Sequence, residues 1–514
     1  MKRLTSLSAV AMAATLVLAA CGSESDGGAD GAAESLRVAL DLDMSIKDPQ
    51  MVNDLPNLWI NGNVNENLFK PDFSGETQEA VPSLATGWET NGEESWTVTL
   101  QEGVEFTNGE PFNAEAAKYS IDRFVDPATG TGHAGFVRVA SVEVVDDYTI
   151  AIETDGPFPD LIRSLYTVAM VPPELVQDDP ESFKEKPVGT GPYMIEDGAT
   201  PDRLTLTKNP DYWNADNVEF VADEVVLNYI PETASRVAAL QAGEVDVATR
   251  IPLESAESVP ATETTPATEN LSLRLNSENG VFTDPRMREA VQIGTDVEAI
   301  RQSLYTDESS GSAYCQFATP QVFGFNPELE TPPVDVERAR QLIAEAGMEG
   351  AEVTIVGAEG RYPKGNEVVQ AVAAQWTDLG LDAQVEIVPD DAWLAAVLGE
   401  ETDGEYVHEG HDAIILDVSA FNLTAIEPLT TALTQGGVDT FPHDEFPEAR
   451  ELLEQASTEL DPAEQESILQ ELAEVVCSAH GTLFIGNLNV IWGVAEGVDI
   501  APQPGGRVRL AEDK

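Results

Sequence analysis

Basic residues are scarce in this chain. Lys and Arg together number 27 against 92 Asp and Glu, which gives a formal net charge of −65 over 514 residues. Because nucleic-acid binding needs a basic surface that neutralises phosphates, this deficit excludes a nucleic-acid partner. The acids are spread along the whole chain, which favours a solvated surface suited to high salt. The alternative interpretation is an acidic field that attracts cationic ligands.

Cysteine and histidine are also few, with three Cys and five His, and their spacing does not match a metal-binding motif. His408 and His411 superficially resemble a zinc-protease helix, but they are three positions apart rather than four, and Gly410 disfavours a helix. His443 and Asp444 lie nearby in the sequence, but we expect these histidines to be exposed loop residues rather than ligands of a metal site.

Long apolar runs are limited to residues 4–18, which follow Lys2 and Arg3 and end at the small-residue sequence Leu18-Ala19-Ala20-Cys21. This pattern predicts a bacterial lipoprotein signal over residues 1–20, with Cys21 lipidated. An ordinary cleaved signal beside a free cysteine is the alternative. Residues 21–35 are polar and predict a flexible tether. The folded part is then expected outside the cytoplasm, anchored to the outer face of the cell membrane.

Catalytic motifs are missing too, since the sequence contains no G-x-S-x-G elbow. Gly189-Thr190-Gly191-Pro192 resembles a phosphate loop only superficially, because position 194 is Met194 and Pro192 lacks an N–H donor. An exported hydrolase is therefore the weaker hypothesis. We expect a protein that is not an enzyme and needs no cofactor or metal.

Two cysteines remain once Cys21 is assigned to lipid. Thiols in an exported protein most often pair, so we expect a disulfide between Cys315 and Cys477. Two buried free thiols are the alternative.

Strand and helix patterns alternate after residue 36. Strands are predicted over residues 36–40, 96–100, 149–152, 204–207, 225–230, 245–247, 351–356 and 383–388. Capping residues predict helices over 113–124, 234–242, 335–346, 367–379 and from Asp461 toward Cys477. This alternation over two halves predicts α/β lobes.

Six motifs in fixed order resemble family 5 extracellular solute-binding proteins of ABC importers, the oligopeptide- and dipeptide-binding group. The motifs lie at residues 82–89, 96–112, 189–193 (GTGPY), 209–213 (NPDYW), 243–246 (GEVD) and 282–291 (FTDPRMREAV). The resemblance covers essentially everything after the tether.

The resemblance implies a two-lobed periplasmic-binding-protein-like fold of type II, cluster C, with an extra subdomain in lobe I. Lobe I would comprise residues 36–275 and 485–514, with the inserted subdomain at about 71–188, and lobe II residues 276–484. The chain would cross between lobes near Asn276 and near Gly486. Both Cys315 and Cys477 fall in lobe II, which makes their pairing geometrically possible.

The resemblance also implies a receptor, expected to be a monomer, that closes over an oligopeptide or dipeptide and delivers it to a membrane permease. Peptide-binding members hold the ligand ammonium with an aspartate, but Thr424 stands at that position here. Asp417 or Glu427 could substitute, unless both are surface or turn residues. Further candidate ligand contacts are Glu66, Asn67, Asn276, Trp393 and Phe421. A nickel chelate, heme or a sugar is the alternative solute.

Overall fold

The computed structural model describes residues 33–41, 48–51, 59–60, 62–73, 79–129, 137–266, 268–402, 405–407, 410–420, 422–434 and 441–514. Cys21, Phe421 and His408 lie outside these residues. The strands of the first half are β1 Ala33–Leu40, β2 Phe69–Asp72, β3 Glu79–Pro82, β4 Ala85–Thr90, β5 Ser95–Leu100, β6 Val139–Asp146, β7 Thr149–Thr154, β8 Tyr193–Ile195, β9 Arg203–Lys208, β10 Val218–Phe220, β11 Ala222–Tyr229, β12 Val247–Ala248 and β13 Ala261–Thr265. Those of the second half are β14 Glu269–Leu275, β15 Glu352–Ala358, β16 Asp382–Val388, β17 Glu400–Thr402, β18 Glu405–Val407, β19 Ala413–Ser419, β20 Thr482–Asn487, β21 Val490–Val494, β22 Pro502–Gln503, β23 Arg507–Val508 and β24 Ala511–Asp513.

Helices alternate with these strands. They are α1 Ala114–Val125, α2 Leu161–Ser164, α3 Pro173–Asp178, α4 Pro180–Glu185, α5 Thr233–Gln241, α6 Leu253–Ala256, α7 Pro285–Gly294, α8 Val297–Leu304, α9 Val336–Ala346, α10 Gly365–Leu379, α11 Asp390–Leu398, α12 Ile426–Thr434, α13 Glu448–Ala456 and α14 Pro462–Ser478. Within the described residues we find no helix that is both long and apolar enough to cross a bilayer.

Helix ends follow the capping residues predicted from the sequence. The Asp335 carboxylate accepts a hydrogen bond from Arg338 N, and the Asp461 carboxylate accepts from Ala463 N and Glu464 N. Both therefore satisfy amide donors that a helix start leaves unpaired. Helix α9 ends at Gly347, whose φ of 72° lies in the left-handed region that glycine adopts without strain.

The first large sheet has seven strands in the order β13-β21-β12-β1-β11-β9-β8. Its centre is parallel, because β1 pairs in parallel with both β11 and β12. The register pairs Ala33 with Ala222, so β1 begins at Ala33. The predicted tether of residues 21–35 therefore extends too far, since Ala33 to Ser35 already hydrogen-bond within the sheet.

Strands β4 to β7 form a separate four-stranded antiparallel sheet in the order β4-β5-β7-β6. In the sequence these strands lie between β1 and β8 of the first sheet. Trp96, Val98 and Ile150 point from the four-stranded sheet into a buried cluster that also contains Ile121 and Phe124 of α1. The alternation of apolar and polar residues in β5 therefore buries one face against the helix. We call residues 69–185, which carry this sheet and α1 to α4, the inserted subdomain.

The second large sheet has five strands in the order β16-β15-β19-β14-β20. Strand β15 pairs in parallel with β16 and β19, and β14 pairs antiparallel with β19 and β20. Helices pack on both faces through two buried clusters, one containing Trp376 and the other Trp393. We call the part of the chain built on this sheet the second lobe, and the part built on the seven-stranded sheet the first lobe.

The chain passes between the two large sheets at two places. Strand β13 belongs to the first sheet and β14 to the second, while β20 belongs to the second and β21 to the first. The crossings therefore lie between Thr265 and Glu269 and between Asn487 and Val490. The predicted crossing near Gly486 lies at the end of β20, next to the observed one. The predicted crossing near Asn276 lies at the far end of β14, because the whole of β14 already pairs with β19 and β20.

Cys315 and Cys477 form a disulfide bond with their Cα atoms 5.3 Å apart. Cys315 is fully buried, and Cys477 lies in the last turn of α14. The bond therefore joins the loop that follows α8 to the last turn of α14, both within the second lobe.

We expect the double variant Cys315→Ala/Cys477→Ala to lose about 2–5 kcal/mol of unfolding free energy, because the bond constrains the unfolded chain across 162 residues. Urea unfolding under oxidising conditions measures this loss. Under reducing conditions the wild type and the variant should unfold at nearly the same urea concentration. Equal midpoints under oxidising conditions would contradict the bond.

Candidate ligand-binding site

The second lobe presents the carboxyl ends of three parallel strands at one edge of its sheet. Strands β15, β16 and β19 run in the same direction, with Val356 opposite Glu386 on one side and Ile414 on the other. Ligands of open α/β sheets bind in the crevice outside such carboxyl ends. A ligand-binding site is therefore expected in the loops that follow these strands.

Five side chains converge at this edge, and we call them the carboxyl-edge cluster. The Tyr362 hydroxyl donates a hydrogen bond to Asp417 Oδ1 at 2.9 Å and accepts one from Arg361 Nε at 3.1 Å. Arg361 also pairs with Asp390 at 2.8 Å, and its guanidinium lies 4.0 Å from the ring centre of Trp393. The cluster thus places a cation and a half-buried carboxylate side by side on an aromatic support.

Burial of the Tyr362 phenol raises its pKa far above the usual range, and the charge of Asp417 raises it further. The phenol therefore keeps its proton at any physiological pH and acts as a permanent donor to Asp417. This hydrogen bond fixes the orientation of the carboxylate.

The first lobe also presents polar groups at the carboxyl ends of its parallel strands. Thr249 Oγ1 donates to Asp41 Oδ1 at 2.9 Å, and Arg250 lies 3.7 Å from the other Asp41 oxygen. Beneath them the buried Arg236 donates to the carbonyls of Thr249 and Ile230. Arg236 therefore holds the loops after β11 and β12 together.

The two carboxyl edges lie on the same side of the molecule. Lys364, two residues after Tyr362, forms an ion pair with Glu254 of α6 at 3.0 Å. Helix α6 follows β12 directly, so this ion pair joins the carboxyl edge of the second lobe to that of the first. A small solute between the edges would touch both lobes.

A second set of contacts joins the inserted subdomain to the second lobe. The Arg163 guanidinium lies 4.2 Å from the ring centre of Phe323, and Gln465 Nε2 donates to Asp160 Oδ2 at 3.4 Å. Leu423, in the loop after β19, is fully buried in the hydrophobic cluster of the inserted subdomain. Its φ of 57° is unusual for a branched residue.

The predicted site residues separate into different environments. Asp417 and Trp393 belong to the carboxyl-edge cluster, with the Trp393 indole donating to Ile415 O at 2.7 Å. Glu427 is buried and accepts a hydrogen bond from Asn422 N at 2.8 Å, so its carboxylate supports the turn before α12. Phe421 lies outside the described residues.

Asn276 lies at the opposite edge of the second sheet. It follows Leu275, which pairs with Ala413 at the amino end of β19, and its side-chain oxygen accepts from Glu278 N and Asn279 N. The structure therefore places Asn276 in a turn rather than at a chain crossing.

The hydrogen bonds of Glu66 and Asn67 lie within the first lobe and the inserted subdomain. The buried Glu66 carboxylate accepts hydrogen bonds from Thr190 (2.8 Å), Tyr212 (3.0 Å) and Trp213 (2.9 Å). Burial raises the pKa of Glu66, while these three donors act in the opposite direction. The Asn67 amide donates to Tyr166 O.

The GTGPY motif therefore has a packing role beside Glu66. A Cβ atom on Gly189 would lie 2.0 Å from Val64 O, and one on Gly191 would lie 2.4 Å from Asn63 O. Only glycine permits this approach of two backbones.

The sequence prediction missed Arg361, Tyr362, Asp390 and the interlobe pair formed by Lys364. A usable signal existed, because Arg361 and Tyr362 follow the predicted strand at 351–356 directly. Among the described residues, no group of three or more His, Cys, Asp or Glu could hold a metal ion.

Two α/β lobes joined by two crossings, with polar carboxyl edges on the same side, define the class of two-lobed solute receptors. A sequence model of "Bacterial extracellular solute-binding proteins, family 5 Middle" matches residues 79–440. The chain belongs to this family. It is a substrate-binding receptor for an ABC importer, and the family consists of extracytoplasmic binding proteins rather than enzymes.

Curated relatives share about a quarter of their residues with this chain. Heme-binding protein A of Haemophilus influenzae is 27% identical over 351 residues, which cover 60% of this chain and 62% of that protein. Glutathione-binding protein GsiB of Salmonella typhi is 26% identical over 381 residues, which cover 72% of each chain.

Solved structures share the fold at lower identity. The substrate-binding protein CtaP of Listeria monocytogenes has a TM-score of 0.81 at 18% identity, covering 94% of this chain and 99% of its own. DppA of Helicobacter pylori, solved with the peptide STSA, has a TM-score of 0.71 at 22% identity, covering 94% and 99%. These likenesses show the two-lobed architecture.

The contact between Asp160 and Gln465 leads to a pH prediction. Burial raises the pKa of Asp160, and Arg163 and Gln465 oppose this shift. A carboxyl group with a raised folded-state pKa stabilises the fold fully below its unfolded pKa of about 4, and this contribution is lost as pH rises through the folded pKa. The stability advantage of the wild type over Asp160→Asn should therefore shrink as pH rises from about 4.

Urea unfolding at a series of pH values measures this difference. Asp202→Asn, which changes an exposed carboxyl group of the first lobe, is the matched control and should show no such trend. Parallel pH profiles for the wild type and Asp160→Asn would contradict the burial of Asp160 between the lobes.

Proposed function

We propose that the receptor captures oligopeptides or dipeptides between its two lobes and delivers them to a membrane permease. Asp417 would hold the ligand ammonium and Arg361 the ligand carboxylate. The single observation that carries this proposal is the carboxyl-edge cluster, because it presents one anion and one cation on a rigid support. A short zwitterionic peptide offers the complementary pair of charges.

The cluster explains how a ligand would be held without the aspartate expected at position 424. Asp417 lies on β19 opposite Leu271, two residues from the start of β14 and thus close to the first crossing. A charge bound there lies near the segments that must bend on closure. Ligand contacts with both lobes stabilise the closed state by differential affinity.

The relatives support a receptor role but differ in the solutes that their names state. One is named for heme and another for glutathione, itself a peptide, while DppA was solved with a peptide. Peptide capture is favoured here because Arg361 and Asp417 are charged and adjacent. A nickel chelate, heme or a sugar is the competing outcome.

Binding of short peptides with free and blocked ends tests the proposal by calorimetry. N-acetylation should weaken binding to the wild type about 10–100-fold, the equivalent of one charge-assisted hydrogen bond. The same blocking group should have little effect on Asp417→Asn. C-terminal amidation should weaken binding to the wild type by a similar factor, and it should have little effect on binding to Arg361→Gln.

Asp382→Asn is the matched control, because Asp382 is exposed at the amino end of β16, the opposite edge of the same sheet. It should bind free and blocked peptides as the wild type does. Native mass spectrometry of the purified protein would identify any solute that it carries. Carriage of heme, a nickel chelate or a sugar, with no peptide binding, would refute peptide capture.

We further propose that the mature chain is a monomer held at the outer face of the membrane by lipid on Cys21. The apolar run at residues 4–18 followed by Leu18-Ala19-Ala20-Cys21 supports this proposal. Protein expressed in bacteria should partition into detergent, whereas Cys21→Ala should not carry the lipid and should lack its mass. A mass difference no larger than the exchange of cysteine for alanine would contradict lipidation.

A further inference from the structure

The first lobe contains a cavity of about 1060 Å³ that is separate from the carboxyl edges. Its walls come from the β2–β3 hairpin, the loop after β9 and the last residues of the chain. Sites for small molecules usually measure about 300–1000 Å³ and are lined by aromatic groups with a few polar ones. The aromatic residues that line this cavity are Phe69, Phe73, Tyr166, Tyr212 and Trp213.

Arg509 lines this cavity and is held there by a rigid backbone. The next residue, Leu510, donates its N–H to Asn63 Oδ1 at 2.8 Å, and its carbonyl accepts from Val221 N at 2.9 Å. Strand β24 then pairs with β10, with Ala511 opposite Phe220. The backbone that carries Arg509 is therefore held in place by the fold.

The guanidinium of Arg509 has no hydrogen bond or ion pair with any described residue. Four acids line the cavity with it, namely Glu66, Asp72, Glu512 and Asp513. Glu66 accepts from three neutral donors and Asp513 pairs with Lys70, and none of the four forms an ion pair with Arg509. Burial lowers the pKa of Arg509, and the charges of Asp513 and Glu66 act in the opposite direction. Arg509 is one of several described cations that form no ion pair, although acids outnumber bases 92 to 27 in the chain.

From this geometry we propose that the cavity is a second binding site, for a small carboxylate with an aromatic or apolar body. The Arg509 fork would receive the carboxylate in two parallel hydrogen bonds, and the aromatic walls would enclose the body. Lys70, also in the lining, is already paired with Asp513, so Arg509 is the group available to the anion. This site does not depend on peptide capture between the lobes.

The probe is 4-bromobenzoate, with 4-bromobenzamide as its neutral counterpart and inorganic phosphate as a second anion. Calorimetry should show saturable binding of 4-bromobenzoate to the wild type and none of the benzamide. Arg509→Gln should weaken binding at least tenfold, and Arg509→Lys, which keeps the charge but loses the fork, should weaken it less. Anomalous scattering from bromine in a crystal of the complex should locate the probe in the cavity.

Two controls separate this site from the peptide site. Arg338→Gln, which removes a partly exposed arginine on α9, and Asp417→Asn should both bind 4-bromobenzoate as the wild type does. Unchanged binding in Arg509→Gln, no saturation in the wild type, bromine outside the cavity or binding of phosphate alone would overturn the proposal. If Arg509→Gln does not fold, Arg509→Lys and the bromine position decide.

Discussion

The pairing of β14 with β20 is the constraint on which the two-lobed architecture depends. One strand begins directly after the first crossing and the other ends directly before the second, and their register places Asn270 opposite Asn487. The two crossings are therefore held side by side. The register shifts after Leu271, opposite Gly486, whose φ of 150° lies outside the range that other residues readily adopt. The irregularity lies at the base of the connection, where β-bulges often redirect strands.

The excess of acids in the chain means that most of its few cations are paired with carboxylates. Most arginines and lysines of the described residues lie beside a carboxylate, as Arg37 does with Asp246 and Arg288 with Glu445. Surface pairs of this kind contribute little to stability, so their main effect is to occupy the cations. Arg361 pairs with Asp390 and stacks on Trp393, whereas Arg509 is not paired within the described structure. The backbone positions of these two arginines follow from the fold rather than from the overall charge.

Much of the fold could be predicted because its signals are local. Asp335 with Gly347, and Asp461 with Pro462, mark helix ends through hydrogen bonds to nearby amides or through backbone freedom. Two of the parallel strands at the site, β15 and β16, were also predicted, at 351–356 and 383–388, whereas β19 was not. The first crossing was misplaced because membership of a sheet depends on pairing between distant segments, which a single sequence does not display. The same limit applies to Asn276, whose turn lies at the end of β14 remote from the crossing.

The site was predicted only in part for a related physical reason. Asp417 was predicted because it is a carboxylate close to position 424, where peptide-binding members of the family have an aspartate. Trp393 was predicted because a large aromatic side chain can line a ligand pocket. The place of Arg361 and Tyr362 in the site could not be predicted without the parallel pairing of β15 with β19, because this pairing brings their loop beside Asp417. Glu66 was expected at the cleft, but its three donors come from segments more than 120 residues away in the chain.

Leu423 links the second lobe to the inserted subdomain. Its backbone belongs to the second lobe, since its carbonyl accepts from Phe323 N at 2.9 Å, while its side chain is buried in the inserted subdomain. Parting the lobes must bring this side chain into water, at a cost of about 1.5–3 kcal/mol. Its burial therefore favours the arrangement in which the inserted subdomain and the second lobe remain in contact.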